Sequence, residues 1–425
     1  METESRLNIA IQSAHPLRKD RPDGVKDVIT TIRPYLRRKG CEVTIIGPSM
    51  WSRRENNLAD FTFGGFLSLP VTHDDTKRQM VIALSGKGRA EKLIRRIRPD
   101  IFVVHEPFAG HMAHPLISGS PRRKDGKKVP VILGHFHAQT EYIGLLARVG
   151  KAMAHATGYD TRVADALDGR IAVSKATASF WQEQIGGEFE VIYNGVNTEE
   201  LTPYGPRIEA WNDGRKTILA AARHDPRKGL EYGIRAIGLL VNEKGRKDIK
   251  LKVTGKGQET YKLKALVKEL GLENFVEFLG ILDRKTLAME YRTASVFISP
   301  ATGGEGFGRT LTEAMSSGAL VVASDINGYR EVMQGKPFTK MVQPRNPGLI
   351  AAAISEFLDL SQEAGQKLKK EARKHVLDNF DLEDIANQTV RYYESRLSLH
   401  GRPTQEDWDF GRKRKLPTFG IIFKH

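Results

Sequence analysis

The sequence predicts an α/β protein made of two doubly wound units that face each other across a cleft. Three observations carry this. Short β-branched runs alternate with helical stretches, the pattern of a parallel sheet with helices on both faces. The alternation pauses once, in "EELTPYGPRIEAWNDGR" (199–215), where Pro203, Gly205 and Pro206 break regular structure, and then restarts. The chain has 425 residues, more than one compact core usually encloses.

In the first half the expected strands are "LNIAI" (7–11), "EVTIIG" (42–47), "MVIAL" (80–84), "DIFVVHE" (100–106), "VPVILGHFH" (129–137), "RIAVS" (170–174) and "FEVIYN" (189–194). Between the first two, "GVKDVITTIRPYLRRKG" reads as a helix that stops at Lys39-Gly40. The second half restarts with "KTILAAA" (216–222), "IKLKVTG" (249–255), "FVEFLG" (275–280), "ASVFISP" (294–300) and "ALVVAS" (319–324). In "ETYKLKALVKEL", Leu263, Leu266, Val267 and Leu270 follow the i, i+3, i+4, i+7 spacing of an amphipathic helix. "DIANQTVRYYESRLSL" (384–399) is also helical in pattern.

Composition narrows the class. The net charge of +15 suggests polyanionic partners: nucleic acid, an anionic membrane face or phosphorylated substrates. Basic clusters lie at Arg37-Arg38-Lys39, at Arg122-Arg123-Lys124 with Lys127-Lys128, and at Arg412-Lys413-Arg414-Lys415. Solvated surface is the ordinary reading of any one of them. No zinc-finger, RRM or helix-turn-helix signature accompanies the charge, so nucleic acid is not an expected partner. Cys41 is the single cysteine, which excludes an intrachain disulfide and a Cys-ligated zinc site. The opening "METESRLNIAIQS" has no apolar run of signal-peptide length, and no stretch reaches the roughly 18 apolar residues of a membrane span. A cytoplasmic protein is expected.

The chemistry concentrates in "GGEGFGRTLTEAM" (303–315), read as a glycine loop between a strand and a helix. Ligands in doubly wound sheets bind beyond the carboxyl ends of the strands. There glycine lets backbone approach a ligand, and a helix N-terminus suits an anion. Glu305 falls in the loop and Glu313 about one turn into the helix, where it could reach a sugar hydroxyl. In "AAARHDPRKGLEY" (220–232), Arg223 and Lys228 follow the first strand of the second half. Two cations there fit a diphosphate, the arginine as a fork and the lysine as a point charge. "VTGKGQE" (253–259) places Gly255 at another strand end, but Thr260 stands where a dinucleotide fingerprint needs its third glycine. No P-loop motif is present either. His105, His135 and His137 lie at two strand ends of the first half. No H-E-x-x-H or matching carboxylate spacing supports a metal there, so no metal site is expected. A hydrogen bond from His137 to phosphate or sugar is the preferred reading.

With these pieces placed, the chain resembles family 4 of the GT-B glycosyltransferases, through "ARHDPRKG", "VTGKGQE", "IYNGVN" and above all "GGEGFGRTLTEAMSSGALVVASDINGYREV". The order and spacing match over roughly residues 7–395. Within the family it looks most like the bacterial phosphatidylinositol mannosyltransferases, through the "HEP" of 105–107, the "FH" of 136–137 and the "DPRKG" of 225–229. The resemblance implies two Rossmann-like domains: an acceptor domain over 1–200 and a donor domain over 201–385. Residues 386–425 would form a helix returning to the first domain, plus a basic tail. It implies that Arg223 and Lys228 neutralise the donor diphosphate, that Glu305 faces the transferred sugar, and that Glu313 holds the ribose. Gly306, Phe307 and Gly308 would line the donor through their backbone, with Gly255 nearby, and His137 would line the catalytic centre. Gly24 falls where the family has a double glycine; here Asp23 replaces the first of the pair.

The implied reaction is retaining transfer of a hexose, mannose from GDP-mannose, to a membrane lipid such as phosphatidylinositol, without an essential metal or cofactor. Whether Glu305 acts as a nucleophile or positions the sugar stays open. Alternatives are a UDP-sugar with a soluble or polysaccharide acceptor, a nucleotide-sugar epimerase, and a nucleic-acid binder. The stretch "KGRAEKLIRRIRPD" (87–100) sets Ala90, Leu93, Ile94 and Ile97 on one helix face, with Arg89, Lys92, Arg95 and Arg96 beside it. Such a helix can rest on an anionic membrane, so peripheral attachment to the inner leaflet is expected, helped by 37–39 and the tail 412–424. The apolar face would itself pack on the sheet.

Overall fold

The structure, a computed structural model, describes residues 6–15, 17, 23–48, 58–63, 66–73, 76–83, 86–108, 113–138, 159–208 and 213–410. Along the first half run β1 (Asn8–Gln12), α1 (Gly24–Arg38), β2 (Glu42–Pro48), β3 (Phe61–Phe63), β4 (Phe66–His73), β5 (Thr76–Ala83), α2 (Lys87–Ile97), β6 (Ile101–His105), α3 (Ala113–Gly119), β7 (Val131–Phe136), α4 (Tyr159–Ala164), β8 (Gly169–Ala172), α5 (Lys175–Ile185) and β9 (Glu190–Val191). The second half opens with β10 (Lys216–Ala221), a 3₁₀ turn at Pro226–Lys228 and α6 (Leu230–Gly238), which runs into a π turn. It continues through β11 (Ile249–Thr254), α7 (Thr260–Glu269), β12 (Val276–Gly280), α8 (Arg284–Thr293), β13 (Val296–Ser299), α9 (Arg309–Ser316), β14 (Leu320–Ser324), α10 (Asn327–Met333) and β15 (Thr339–Val342). Four helices close the described chain: α11 (Pro347–Leu358), α12 (Gln362–Phe380), α13 (Leu382–His400) and α14 (Gln405–Asp409).

Two parallel sheets result, with strand orders β3-β2-β1-β6-β7-β8-β9 and β12-β11-β10-β13-β14-β15. Both strand orders reverse direction at their first strand, so each sheet has a switch point where neighbouring connections leave to opposite faces: β1/β6 in one and β10/β13 in the other. A crevice opens at such a point beyond the carboxyl ends of the strands. The strands are apolar on both faces, as sheets covered by helices must be. Ile9, Ile11, Val103 and Leu133 face one layer, while Ala10, Phe102, Val104 and Ile132 face the other.

One expected strand sits elsewhere. Of "MVIAL", 80–83 belong to β5, which pairs antiparallel with β4 in a separate two-stranded ribbon and not in the parallel sheet, and Leu84 lies outside the described residues. Its β-branched residues fit a hairpin as well as a buried strand, and run length does not tell the two apart. "FEVIYN" contributes only the two-residue β9 at the sheet edge, and β15 lies outside every expected run.

The chain crosses between the halves twice, and the crossings lie side by side. Val196 N–H donates to Phe380 O at 2.8 Å and Leu382 N–H donates to Val196 O at 3.0 Å. After the second crossing α13 lies against the first sheet, burying Leu382, Ile385, Ala386, Tyr392, Tyr393 and Leu397 with Ile9, Leu36 and Val43. The segment after α13 stays on the first half. Trp408 of α14 is buried among Ala90, Ile94 and Phe102. Arg402 donates to Asp100 at 3.0 and 2.7 Å, and Arg95 donates to the carbonyls of Trp408 and Phe410.

The amphipathic segment 87–100 forms α2 over Lys87–Ile97 and ends at Arg98. Its Ala90 and Ile94 are fully buried, with Leu93 and Ile97 packed beside them, so the apolar face meets the protein and not lipid. Of its cations, Arg95 is held by Glu91 and the α14 segment, whereas Arg89, Lys92 and Arg96 are exposed. Arg38 and Lys39 pair with Glu383 of α13. No helix among the described residues is long and apolar enough to cross a membrane. The tail 412–424 lies outside the described residues.

Candidate active site

The two halves meet across a crevice, where the loop after β13 reaches His137 just past β7 and Arg309 of α9 reaches Gly24 at the start of α1. The loop after β13 turns through Gly303, Gly304 and Gly308 at φ of 154°, 69° and 90° before α9 begins. Gly306 is required by contact: a Cβ there would lie 1.9 Å from His137 O on the opposite half. Ser174 Oγ donates to Gly306 O at 2.6 Å and Thr177 Oγ1 at 3.3 Å, tying the loop to the start of α5. The Phe307 side chain is buried, near Tyr193 and Phe380 at ring distances of 5.7 and 5.5 Å, so only its backbone can serve a ligand.

Glu305 sits at the tip of this loop with its side chain 13% exposed. It accepts from Lys228 Nζ at 2.8 Å and from Arg227 Nη1 at 2.6 Å. Burial alone would push its pKa up, but Lys228 and Arg227, with Arg223 behind them, hold it below the ordinary value. Lys228 moves the opposite way for a cation: burial pulls its pKa down, and Glu305 offsets this only in part. The 3₁₀ turn over Pro226–Lys228 aims both cations at the loop, and Gly229 closes it at φ 60°, where a Cβ would strike Pro300 O at 2.0 Å. Arg223 stands beside them, paired with Asp225 at 2.8 Å. Arg227 is the residue that the sequence does not single out. Its neighbour Lys228 stands out from the motif, and only the tight turn shows that consecutive side chains converge. Gly255, at φ 116°, is fixed by packing, because a Cβ would fall 1.9 Å from Ala222 O.

Glu313 forms a second carboxylate centre one helical turn on. It accepts from Tyr291 Oη at 3.0 Å and from Arg309 Nη2 at 2.9 Å. Arg309 also donates to Gly24 O at 3.0 Å and lies 3.8 Å from Asp27, which bridges the two halves. Burial raises the pKa of Asp27 despite that arginine. Asp23 caps α1 by accepting from Lys26 N–H at 2.9 Å, a contact that a glycine there could not make. Gly24 follows it, exposed, with open space out to 4 Å where a Cβ would stand.

The third centre is histidine. His105 Nδ1 lies 2.7 Å from His137 Nε2. The His137 N–H donates to Glu106 Oε1 at 2.8 Å, and Glu106 itself holds a left-handed φ of 51°. Strain of that kind typically stores about 1–3 kcal/mol and gathers at functional sites. Burial, reinforced by the neighbouring rings, drives the His137 and His105 pKa values well down, and burial takes His135 to about 3. All three rings are therefore neutral near pH 7, able to donate through one nitrogen and accept through the other.

The structure thus brings Glu305, Lys228, Arg227 and Arg223 into one anion-receiving corner. It sets His137 against that corner through Gly306, and it places Glu313, Arg309 and Gly24 along the same crevice. Buried cations beside a carboxylate suit a ligand that carries both a diphosphate and hydroxyl groups.

Two family models match, one described as Glycosyltransferase Family 4 over residues 22–200 and one as Glycosyl transferases group 1 over residues 206–375. A phosphatidyl-myo-inositol mannosyltransferase of Mycolicibacterium smegmatis is 26% identical over 383 residues, covering 89% of this chain and 92% of its own. Among solved structures, a glycosyltransferase from Rickettsia africae superposes with a TM-score of 0.72 at 19% identity, over 92% of this chain and 99% of the other. Anabaena HepE, in complex with UDP and glucose, gives 0.69 at 17% identity, over 92% and 100%. At these identities the two structures establish the shared two-sheet fold.

Proposed function

We propose, from the premise that the chain belongs to the glycosyltransferases through a family 4 domain and a group 1 domain, that it moves mannose from GDP-mannose to phosphatidylinositol with retention. The observation that carries the lipid reading is the similarity to a phosphatidyl-myo-inositol mannosyltransferase over 89% of this chain. The first half, over 1–200, takes the acceptor and the second, over 201–385, the donor.

In this reading the donor diphosphate lies on Arg223, Arg227 and Lys228, and the ribose meets Glu313. The bond between the anomeric carbon and the phosphate oxygen breaks, and the acceptor hydroxyl oxygen bonds to that carbon. Its proton leaves on the departing diphosphate. Fixed cations stabilise the charge developing on the leaving phosphate, a role that a bound divalent ion fills elsewhere. Neutral His137 hydrogen-bonds the sugar, and Glu305 faces it. Arg227 and Lys228 already share Glu305, so the arriving diphosphate replaces a carboxylate that is in place.

The acceptor reading includes peripheral attachment. Arg89, Lys92 and Arg96 of α2 are exposed together beside the crevice-bearing half, and each cation near an anionic surface contributes on the order of 1 kcal/mol. A second reading, a UDP-sugar donor with a soluble or polysaccharide acceptor, draws on the fold shared with a structure holding UDP and glucose. One experiment separates them: labelled GDP-mannose, UDP-glucose and UDP-N-acetylglucosamine are offered to the protein with and without phosphatidylinositol vesicles. Label in the lipid phase from GDP-mannose alone supports the proposal. Transfer only from a UDP-sugar, or none to lipid, overturns it.

A further inference from the structure

The proposed transfer uses one histidine of the three that meet at the ends of β6 and β7. His105 and His135 are register partners on these parallel strands, and His137 lies two residues further along, so all three rings leave one face. Their centroids are 4.6, 4.9 and 4.4 Å apart in the pairs 105–135, 105–137 and 135–137. One ligand nitrogen from each ring lies within 4.8 Å of the other two. His105 and His135 are 3% and 8% exposed, and among the described residues Nε2 of His135 has no hydrogen-bond partner. A buried polar atom left this way is destabilising, and an apolar side chain would avoid that.

We propose that His105, His135 and His137 bind one divalent ion of the zinc class, and that its binding switches off transfer. The ligand set fixes the class. Three imidazoles suit zinc, cobalt, nickel or copper, whereas magnesium and calcium take oxygen. The one cysteine, Cys41, is buried in the layer with Tyr35 and Leu36 and offers no thiolate here. Ligands about 2.0–2.1 Å from a tetrahedral ion stand roughly 3.4 Å apart, so rotations of about an ångström gather the three nitrogens. The proton shared by His105 Nδ1 and His137 Nε2 moves to the far nitrogen of its own ring, with no change in net charge. The fourth position opens to the crevice, since His135 lines the same cavity as Asp27, Arg309 and Glu313. Inhibition follows because the ion takes the His137 ring. That second clause rests on the function proposed above, whereas the binding does not.

The test begins with chelator-stripped protein titrated with zinc by equilibrium dialysis. One ion per chain is expected, undisturbed by excess magnesium, and cobalt should give the intense visible absorption of four-coordinate nitrogen ligation. His135→Asn should weaken zinc at least tenfold. It should transfer normally in chelator and lose its sensitivity to zinc. If that variant melts early, His135→Gln takes its place with the same readings. Absence of saturable binding, or equal affinity in the variants, overturns the site. Saturable binding lost in the variants, but without effect on transfer, upholds the site and removes the role given to His137.

Discussion

Glu305 holds two cations that the proposed function gives to the donor diphosphate, and this sets up opposite effects on binding and turnover. With Glu305→Ala, Lys228 and Arg227 lose the carboxylate 2.8 and 2.6 Å away and are left to a diphosphate. Calorimetry should then show nucleoside diphosphate binding about tenfold more tightly, while transfer falls about 100- to 1,000-fold. Unchanged turnover would sink the assignment of Glu305, and weaker diphosphate binding would show that the carboxylate does not compete with phosphate. The same carboxylate makes a pH signature. Its pKa in the folded protein lies below the ordinary 4.5, so its stabilisation is fully present above 4.5 and is lost as pH falls through the lower folded value. Glu305→Gln should flatten the acid limb of the stability curve there. Glu305, Glu313 and Lys228 are legible in the sequence because glycine and motif spacing mark such loops. The gathering of His105 with His135 is not, because register between parallel strands about thirty residues apart leaves no local spacing to read.

At the level of elements, α2 and α14 act as a pair. Legibility differs between them. The i, i+3, i+4, i+7 pattern of α2 announces its buried face, but "GRPTQEDWDF" has too short a period to announce that Trp408 fills the layer beside Ala90 and Ile94. Trp408→Ala should therefore destabilise the first half by about 3–5 kcal/mol, as deletion of a buried tryptophan does. Denaturant unfolding would show it, and a loss under about 1 kcal/mol would mean that α14 is ornamental. The same packing decides which cations can meet a membrane. Arg95 is occupied by the α14 carbonyls, so reversing Arg95 should disturb folding more than docking. Changing Arg89, Lys92 and Arg96 to Glu should abolish co-sedimentation with anionic vesicles and leave the melting temperature nearly unchanged. Retained sedimentation in that triple variant would move the docking surface off α2.

Across the whole molecule, bonds such as Ala176 N–H to Glu331, Arg284 to Thr31 and Arg309 to Gly24 O join the halves, and Gly306 makes the closest glycine approach between them. Any side chain there meets His137 O at 1.9 Å, so Gly306→Ala must separate the two faces of the crevice. A displacement near an ångström at reacting groups can lower rates about 100-fold. Small-angle scattering should show a larger radius of gyration for the variant, with turnover reduced to match. An unchanged radius with full activity would mean that the faces need not touch. The paired crossings at Val196 and Leu382 are where such a motion would pivot. They also carry a consequence for how the chain is made. The first sheet is roofed by Leu382, Ile385, Tyr392, Tyr393 and Leu397, which leave the ribosome only after the entire second half. At about 5–20 residues per second, that roof arrives on the order of ten seconds or more after the strands it covers. In the meantime the second half can complete its own core, while the first waits with a bare strip around Leu36, Val43 and Leu133. The half translated first is the half finished last.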